Sequence, residues 1–220
     1  MKRSGMEKAI LRTLAYADVF DYPLTSVELY RFLIADESCS YSDFKKVFTR
    51  IITNDKRIET NGEYFFLEGR KKIVATRRRR EGWGRKKIKF AGKIAGILRL
   101  IPWIKLIGVT GALAMNNTNK EEDIDLLIIT SKNRLWLTRG LVVSFLRLTG
   151  VYRRPGKIKD KICPNMLLDE KHLSIPKKER DLFSAHEVLQ MKLLWQKGRT
   201  HQRFLRANQW SKEFLPNWKP

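Results

Sequence analysis

Apolar residues recur at helical spacing along the first part of the chain. Residues 7–17 carry one such stripe, and a second stripe begins after Thr25–Glu28, which has the pattern of a capping box. A third stripe, from Phe44 to Ile52, follows Ser40 or Ser42, either of which can serve as the N-cap. The sequence therefore predicts three successive helices before residue 55.

A hairpin pattern follows the third helix. Strand-like runs stand on both sides of Asn61–Gly62, which is the strongest short hairpin signal. Three helices followed by a hairpin resemble a winged helix, here over residues 1–70, and in that fold the third helix enters the major groove of a duplex. The resemblance implies nucleic-acid contacts, while protein docking is the other use of such domains. The candidate contact residues are Lys45, Lys46 and Arg50.

The middle of the chain is strongly basic. The stretch 69–83 has no apolar period and predicts a charged linker or a frayed helix. From Ile88 to Ile101 apolar residues recur at helical spacing, and Pro102 ends that helix. We interpret residues 71–104 as a basic connecting helix, which would guide nucleic acid, pack on the core by its apolar side, or do both.

Two apolar runs mark the next segment, and the second is interrupted only by Asp125. Residues 106–109 and 124–129 predict buried strands that enclose a glycine turn and a short helix. A helix over 133–148 and a third strand over 162–168 follow. This order predicts an α/β core with a small mixed sheet over residues 105–170.

The remaining residues, 171–220, predict a helical extension. Residues 179–195 have apolar positions at helical spacing. Residues 199–220 interleave aromatic and basic side chains, a composition that either stacks on single-stranded bases or docks on the protein's own domain.

The candidate chemistry lies at the entrance of the second core strand. Asp123 and Asp125 are two residues apart on a strand, so their side chains share one face and repel each other unless a cation lies between them. Mg²⁺ or Mn²⁺ is the natural cation for oxygen ligands. Gly111 lets a ligand approach the backbone closely, and the helix after it would direct N–H groups at an anion.

Gly111–Ala112, a spacer of ten residues and Asp123–Leu126 resemble the polymerase-beta-like nucleotidyltransferase superfamily. The resemblance implies that Thr110, Gly111 and Ala112 bind the phosphates of a nucleoside triphosphate and that Asp123 and Asp125 hold Mg²⁺ or Mn²⁺. The implied reaction transfers a nucleoside monophosphate from the triphosphate to a hydroxyl and releases pyrophosphate. The acceptor stays open between RNA, a protein side chain and a small molecule.

Two positions depart from that family. Ala112 stands where a serine is usual, although Thr110 next to it offers a hydroxyl, and Asn165 stands where the third acid is expected. These departures favour an alternative, in which a catalytically degenerate nucleotidyltransferase fold serves as a nucleic-acid-binding or regulatory protein.

Composition narrows the class of partner. The 220 residues carry a net charge of +22 with a pI near 10.2, which predicts a polyanionic partner: DNA, RNA, nucleotide or an acidic membrane surface. Cys39 and Cys163 lack disulfide-framework or zinc-finger spacing, so a reducing cytoplasm is expected. Charges interrupt every apolar window, which predicts that no segment spans a membrane.

Overall fold

In the computed structural model, which describes residues 3–220, helices and two β-sheets confirm the predicted α/β class. The described chain divides into two units. We call the first the hairpin unit; it contains the chain up to Arg79 together with 181–186 and 209–220. The second, the sheet unit, contains residues 80–180 and 187–208.

The hairpin unit has the predicted order of three helices and a hairpin. Thr25 accepts a hydrogen bond from the Glu28 N–H while Glu28 bonds back to the Thr25 backbone, so the predicted capping box is present. Ser40, rather than Ser42, caps the third helix. The elements are α1 (Arg3–Asp18), α2 (Ser26–Arg31), α3 (Tyr41–Asn54), β1 (Ile58–Thr60) and β2 (Phe65–Leu67), with β1 and β2 antiparallel.

The amphipathic pattern of α3 decides which side of it is exposed. Phe44, Phe48 and Ile51 are buried. Lys45, Lys46 and Arg50 are exposed on the opposite side, and Lys46 forms a long surface ion pair with Asp43 at 3.9 Å. The winged-helix interpretation and its nucleic-acid contacts stay predictions.

Helix α4 (Lys72–Leu98) lies within residues 71–104, which were interpreted as a basic connecting helix, and it is already regular helix from Lys72, where a charged linker or a frayed helix was expected. Ile73 and Val74 pack in an apolar cluster with Tyr64 and Phe66, so this part of the helix is held by tertiary contacts that its charge pattern does not reveal.

Arg77 is the buried charge within that early part of α4. Its side chain is 6% exposed and makes a bidentate pair with Glu28, with both nitrogen–oxygen distances at 2.8 Å. The guanidinium also donates to the Pro23 carbonyl, and it lies 4.3 Å and 4.5 Å from the ring centroids of Tyr22 and Tyr64. Burial raises the pKa of Glu28, but the hydrogen bonds and charge of Arg77 outweigh it and hold that pKa below its usual value.

The sheet unit is built on a mixed sheet, as predicted. Within residues 3–220 the strand order is β5–β4–β3–β6, with β4 and β5 parallel and the other pairs antiparallel. The elements are β3 (Ile104–Val109), α5 (Gly111–Ala114), β4 (Ile124–Thr130), α6 (Leu135–Leu148), β5 (Ile162–Asp169), α7 (Leu182–Gln190), which begins in the hairpin unit, β6 (Lys192–Gln196) and α8 (Thr200–Ala207).

The central strand β4 is buried on both faces, which explains the apolar run from Leu126 to Ile129. Ile124, Leu126 and Ile128 pack in one core cluster with Ala91 to Leu98 of α4, while Leu127 and Ile129 on the other face are also buried. A strand covered on both sides holds Asp125, at its entrance, in a fixed position.

The predicted helix over 179–195 is wrong after Gln190. Helix α7 ends at Gln190, and residues 192–196 form β6, which pairs with β3. Pairing supplies hydrogen bonds to the backbone edge of β3, and this non-local gain overrides the helical period of Leu193 and Leu194.

The aromatic residues of the C-terminal segment are mostly buried. Phe204 lies within the sheet unit, and Trp210 and Trp218 lie within the hairpin unit, at 8% exposure or less. Asn217 donates to the Tyr30 carbonyl and accepts from the Cys39 N–H. Of the two interpretations of this segment, docking on the chain itself fits these contacts.

Among the described residues, no helix combines the length and apolar character needed to cross a bilayer.

Candidate nucleotide- and metal-binding site

The glycine turn and the paired acids meet at one end of strands β3 and β4. The Thr110 N–H donates to the Asp125 carbonyl at 3.1 Å, which fixes the turn against the strand entrance. Gly111 has φ of +66°, and a Cβ there would lie 3.3 Å from Asp125 Oδ2. Glycine therefore permits both the left-handed backbone and the close approach of this carboxylate.

Strand register adds a third potential ligand. Asp125 is paired with Cys163 on the parallel strand β5, so the two side chains lie next to each other. One ligand atom each from Asp123, Asp125 and Cys163 lies within 4.8 Å of the other two, and all three residues are partly buried. Two carboxylate oxygens and a sulfur thus converge on one point.

Electrostatics at this cluster disfavour negative charge. Burial, and then the nearby charge of Asp123, raise the pKa of Asp125 above its usual value. Burial, and then the charge of Asp125, raise the pKa of the Cys163 thiol. A cation between these groups would relieve both effects.

Arg153 supplies part of the missing positive charge. The backbone N–H of Arg153 donates to the Ile162 carbonyl at 3.0 Å, which places Arg153 beside the start of β5. Its Nε lies 2.8 Å from Asp123 Oδ2, an ion pair without the alignment of a hydrogen bond, and its Nη1 lies 3.9 Å from Cys163 Sγ. The sequence placed Arg153 only in a general basic loop, because nothing local indicates this contact.

Glu187 is a further carboxylate that the sequence did not identify. It lies on α7 and accepts a hydrogen bond from the Gly111 N–H at 3.2 Å. Burial, and to a lesser extent the charge of Asp125, raise its pKa despite that hydrogen bond. Its separation from the turn by 76 positions explains why no motif reveals it.

The other members of the acidic segment do not reach the cluster. Glu122 accepts hydrogen bonds from Thr118 and Asn119 and so closes the loop before β4, while Glu121 pairs with Lys159 at 3.1 Å.

Two basic residues of α4 bind this loop. Lys87 of α4, which is 4% exposed, donates to the carbonyls of Asn119 and Glu122. Arg80 donates to the side-chain oxygens of Asn117 and Asn119. The loop that positions Asp123 is therefore held by hydrogen bonds from side chains of α4.

A cavity of about 150 Å³ lies between the turn and the acids. Thr110 lines it and is 3% exposed, and its hydroxyl has no hydrogen-bond partner among the described residues. The other lining residues are Ala112, Leu113, Thr118, Glu122, Asp123 and Asp125. A buried hydroxyl without a partner costs about 1–3 kcal/mol, which a ligand bound here would recover.

The family resemblance put the position of the third acid at Asn165, but Asn165 does not lie beside Asp125. Asn165 is exposed and lies where the β4–β5 register shifts, between the pairs Asp125–Cys163 and Leu127–Met166. The shift leaves Cys163, two positions earlier, as the β5 residue beside the acids.

Comparison with known proteins gives only distant similarity. No family model matches the chain, and no curated protein matches it. A crystal structure of a mutant of the toxin–antitoxin MntA-HpeT shares 16% identity over 55% of this chain and 87% of its own, with a TM-score of 0.33. A toxin–antitoxin structure with AMP-PNP shares 14% identity over 60% of this chain and 89% of its own, with a TM-score of 0.31. TM-scores this low do not establish a shared fold.

The residues at the cluster fit a divalent cation. Two carboxylates and a thiol converge, Asp125 is destabilised as an anion, and the adjacent cavity contains an unpartnered hydroxyl. Asp123 and Asp125 would provide the oxygen ligands, and Cys163 offers sulfur.

Proposed function

We propose that this chain is a metal-dependent nucleotidyltransferase, which transfers a nucleoside monophosphate from a nucleoside triphosphate to a hydroxyl acceptor. The observation that carries the proposal is the contact between the glycine turn and Asp125, where a Cβ at Gly111 would lie 3.3 Å from the carboxylate. Phosphates held by the turn and cations held by the acids would share one small space.

Each part of the site has a defined task in this proposal. Asp123 and Asp125 hold Mg²⁺ or Mn²⁺, which when bound neutralises phosphate charge and favours attack by the acceptor hydroxyl. The backbone N–H groups of Gly111 and Ala112 face the triphosphate, and the Thr110 hydroxyl replaces the serine hydroxyl that Ala112 lacks. Arg153, half exposed and beside Asp123, can turn from the carboxylate to a phosphate oxygen.

A second candidate function is a degenerate site on a binding or regulatory protein. The observation in its favour is Glu187, whose carboxylate accepts from the Gly111 N–H, the donor that a phosphate would need. In the enzymatic proposal nucleotide must displace that carboxylate from the turn. In the alternative, the Glu187 carboxylate stays on the turn and excludes the triphosphate.

The test is binding of each nucleoside triphosphate to the purified chain with Mg²⁺ or Mn²⁺ and with chelator. We expect metal-dependent binding that weakens by at least about 100-fold in the double variant Asp123→Asn, Asp125→Asn, which equals about 2.7 kcal/mol. The matched control is Glu121→Gln with Glu179→Gln, because both residues are exposed and the charge removed is the same.

The control variant should bind like the wild type. Binding that is absent from the wild type, or that is insensitive to metal and to the loss of both aspartates, would favour the degenerate site. Where binding is found, formation of pyrophosphate with candidate hydroxyl acceptors identifies the second substrate.

A further inference from the structure

The ligand set beside the glycine turn is not made of oxygen alone. Cys163 is paired with Asp125 across β4 and β5, and its Sγ belongs to the group of three ligand atoms that lie within 4.8 Å of one another. Asp123 directly precedes β4, and one of its carboxylate oxygens belongs to the same group of ligand atoms. The sheet register therefore presents a sulfur where two carboxylates converge.

We propose that Cys163 is a third metal ligand and that the site consequently prefers a thiophilic divalent cation, Zn²⁺, to Mg²⁺. The inference rests on the metal site of the proposed function, but it concerns the identity of the cation. Mg²⁺ takes oxygen ligands in near-octahedral geometry, whereas a thiolate is a soft ligand that Zn²⁺ binds at about 2.3 Å.

A second observation, independent of the acids and the thiol, points to a ligand at this place. The Thr110 hydroxyl is buried without a partner and lines the cavity of about 150 Å³ that Asp123 and Asp125 also line. A buried polar group normally has a partner in a folded protein. A water or a phosphate oxygen on the bound cation would fill the cavity and supply that partner.

The present counter-ion is replaceable. Arg153 contacts both Asp123 and Cys163, but its side chain is 51% exposed and its guanidinium approaches the sulfur only to 3.9 Å. An incoming cation would compensate the charge of Asp123 in place of Arg153, whose half-exposed side chain can then move into solvent.

Cadmium is the probe that reports on the sulfur directly. The whole 220-residue chain, freed of metal with chelator, is titrated with Cd²⁺ while the ultraviolet charge-transfer band of a cadmium–thiolate bond is recorded. The wild type should give a saturable band at one equivalent. Cys163→Ser should lose the band, and Cys39→Ser is the matched control that should keep it, since Cys39 lies in the hairpin unit beside Asn217.

Competition against bound Cd²⁺ then ranks Zn²⁺, Mn²⁺ and Mg²⁺. We expect Zn²⁺ to bind the wild type at least about tenfold more tightly than Mg²⁺, a margin of about 1.4 kcal/mol. Cys163→Asp, which supplies oxygen in place of sulfur, should narrow that margin and improve Mg²⁺ binding. Far-ultraviolet circular dichroism confirms that each variant is folded.

The outcomes separate this inference from the proposed function. A wild type without a saturable band, a Cys163→Ser variant that keeps it, or equal affinity for Mg²⁺ and Zn²⁺ would overturn the inference. If nucleotide still bound with Mg²⁺ in that case, the transferase proposal would stand. A Cys163-dependent band without any nucleotide binding would support the metal site and overturn the transferase.

Discussion

Asp125 and Glu187 approach the same glycine from two distant parts of the chain. Asp125 lies close to where a Gly111 side chain would be, and Glu187 accepts the Gly111 N–H. Both pKa values are raised, mainly by burial. This arrangement disfavours the ionised form of both carboxylates, so at the residue scale the charge of its own acidic side chains destabilises the site when no cation is bound.

Glu187→Gln tests this electrostatic cost through stability. Gln keeps an oxygen that accepts from Gly111 and loses the charge. The Glu187 carboxyl has a higher pKa in the folded protein than its usual value of 4.5, which applies to the unfolded chain. Its contribution to folding stability is therefore fully present below pH 4.5 and is lost as the pH rises through the folded pKa. The variant should therefore melt higher than the wild type at about pH 7, on the order of 2–4 °C for each kcal/mol regained, with a smaller difference at about pH 4.

The measurement is thermal unfolding in chelator at both pH values, with the exposed Glu179→Gln as the control. A Glu187→Gln variant that melts lower than the wild type at neutral pH would contradict the assignment and indicate that the ionised form is stabilising.

Local spacing identified Gly111, Asp123 and Asp125, because a turn and a strand entrance are encoded in neighbouring residues. It did not identify Cys163, Arg153 or Glu187. Cys163 depends on a register shift, and Glu187 depends on how a distant helix packs. Side chains that join a site through sheet register or tertiary packing leave no periodic trace in one sequence.

At the scale of elements, three residues of the basic block on α4 have partners within the protein that its composition does not indicate. Arg77 is paired with Glu28 inside the hairpin unit, and Arg80 and Lys87 hold the 117–122 loop inside the sheet unit. These side chains are already bonded within the protein. The charge pattern predicted a linker or a frayed helix at 69–83, whereas specific internal partners stabilise a helix from Lys72.

Arg77→Met is expected to destabilise the hairpin unit by about 3–5 kcal/mol, because it leaves the partly buried Glu28 carboxylate without its partner. Urea unfolding measures the loss. The adjacent Arg78→Met is the matched control, since Arg78 pairs with the exposed Glu63 and should change little.

Adding Glu28→Gln to Arg77→Met should recover part of the stability, since the unpaired charge is then removed. Equal losses from Arg77→Met and Arg78→Met would show that the buried pair is not the source of the effect.

Strand β6 illustrates the same limit on prediction at the element scale. The helical period of residues 179–195 was correct as far as Gln190, and the sheet decided the rest. The sequence of residues 191–195 shows only their local helix propensity. The backbone groups at the edge of β3 that pair with β6 become available only once the sheet has formed.

At the scale of the whole molecule, the net charge of +22 predicts binding to polyanions. Part of this charge is internal, as the three α4 residues above show. We propose that the exposed face of α3 contributes a nucleic-acid contact, through Lys45, Lys46 and Arg50, which face solvent.

Replacing these three α3 residues with alanine should weaken binding to duplex DNA or RNA. The slope of log K against log salt should become shallower by about 0.9 for each phosphate contact removed. Fluorescence anisotropy at several salt concentrations measures both quantities. The control removes three exposed basic residues elsewhere: Lys8, Arg12 and Lys72. Equal changes in both variants would mean that charge alone, and not this face, determines binding.

The hydrogen bond from the Thr110 N–H to the Asp125 carbonyl closes the β3–β4 pair at the base of the site. The two halves of the cavity can therefore separate only if the end of the central sheet opens with them. Ligand binding and local opening of the sheet are then linked. A ligand that bridges the glycine turn and the Asp125 carboxylate also slows the exchange of the Thr110 amide proton with solvent. That one proton therefore reports whether the site is occupied.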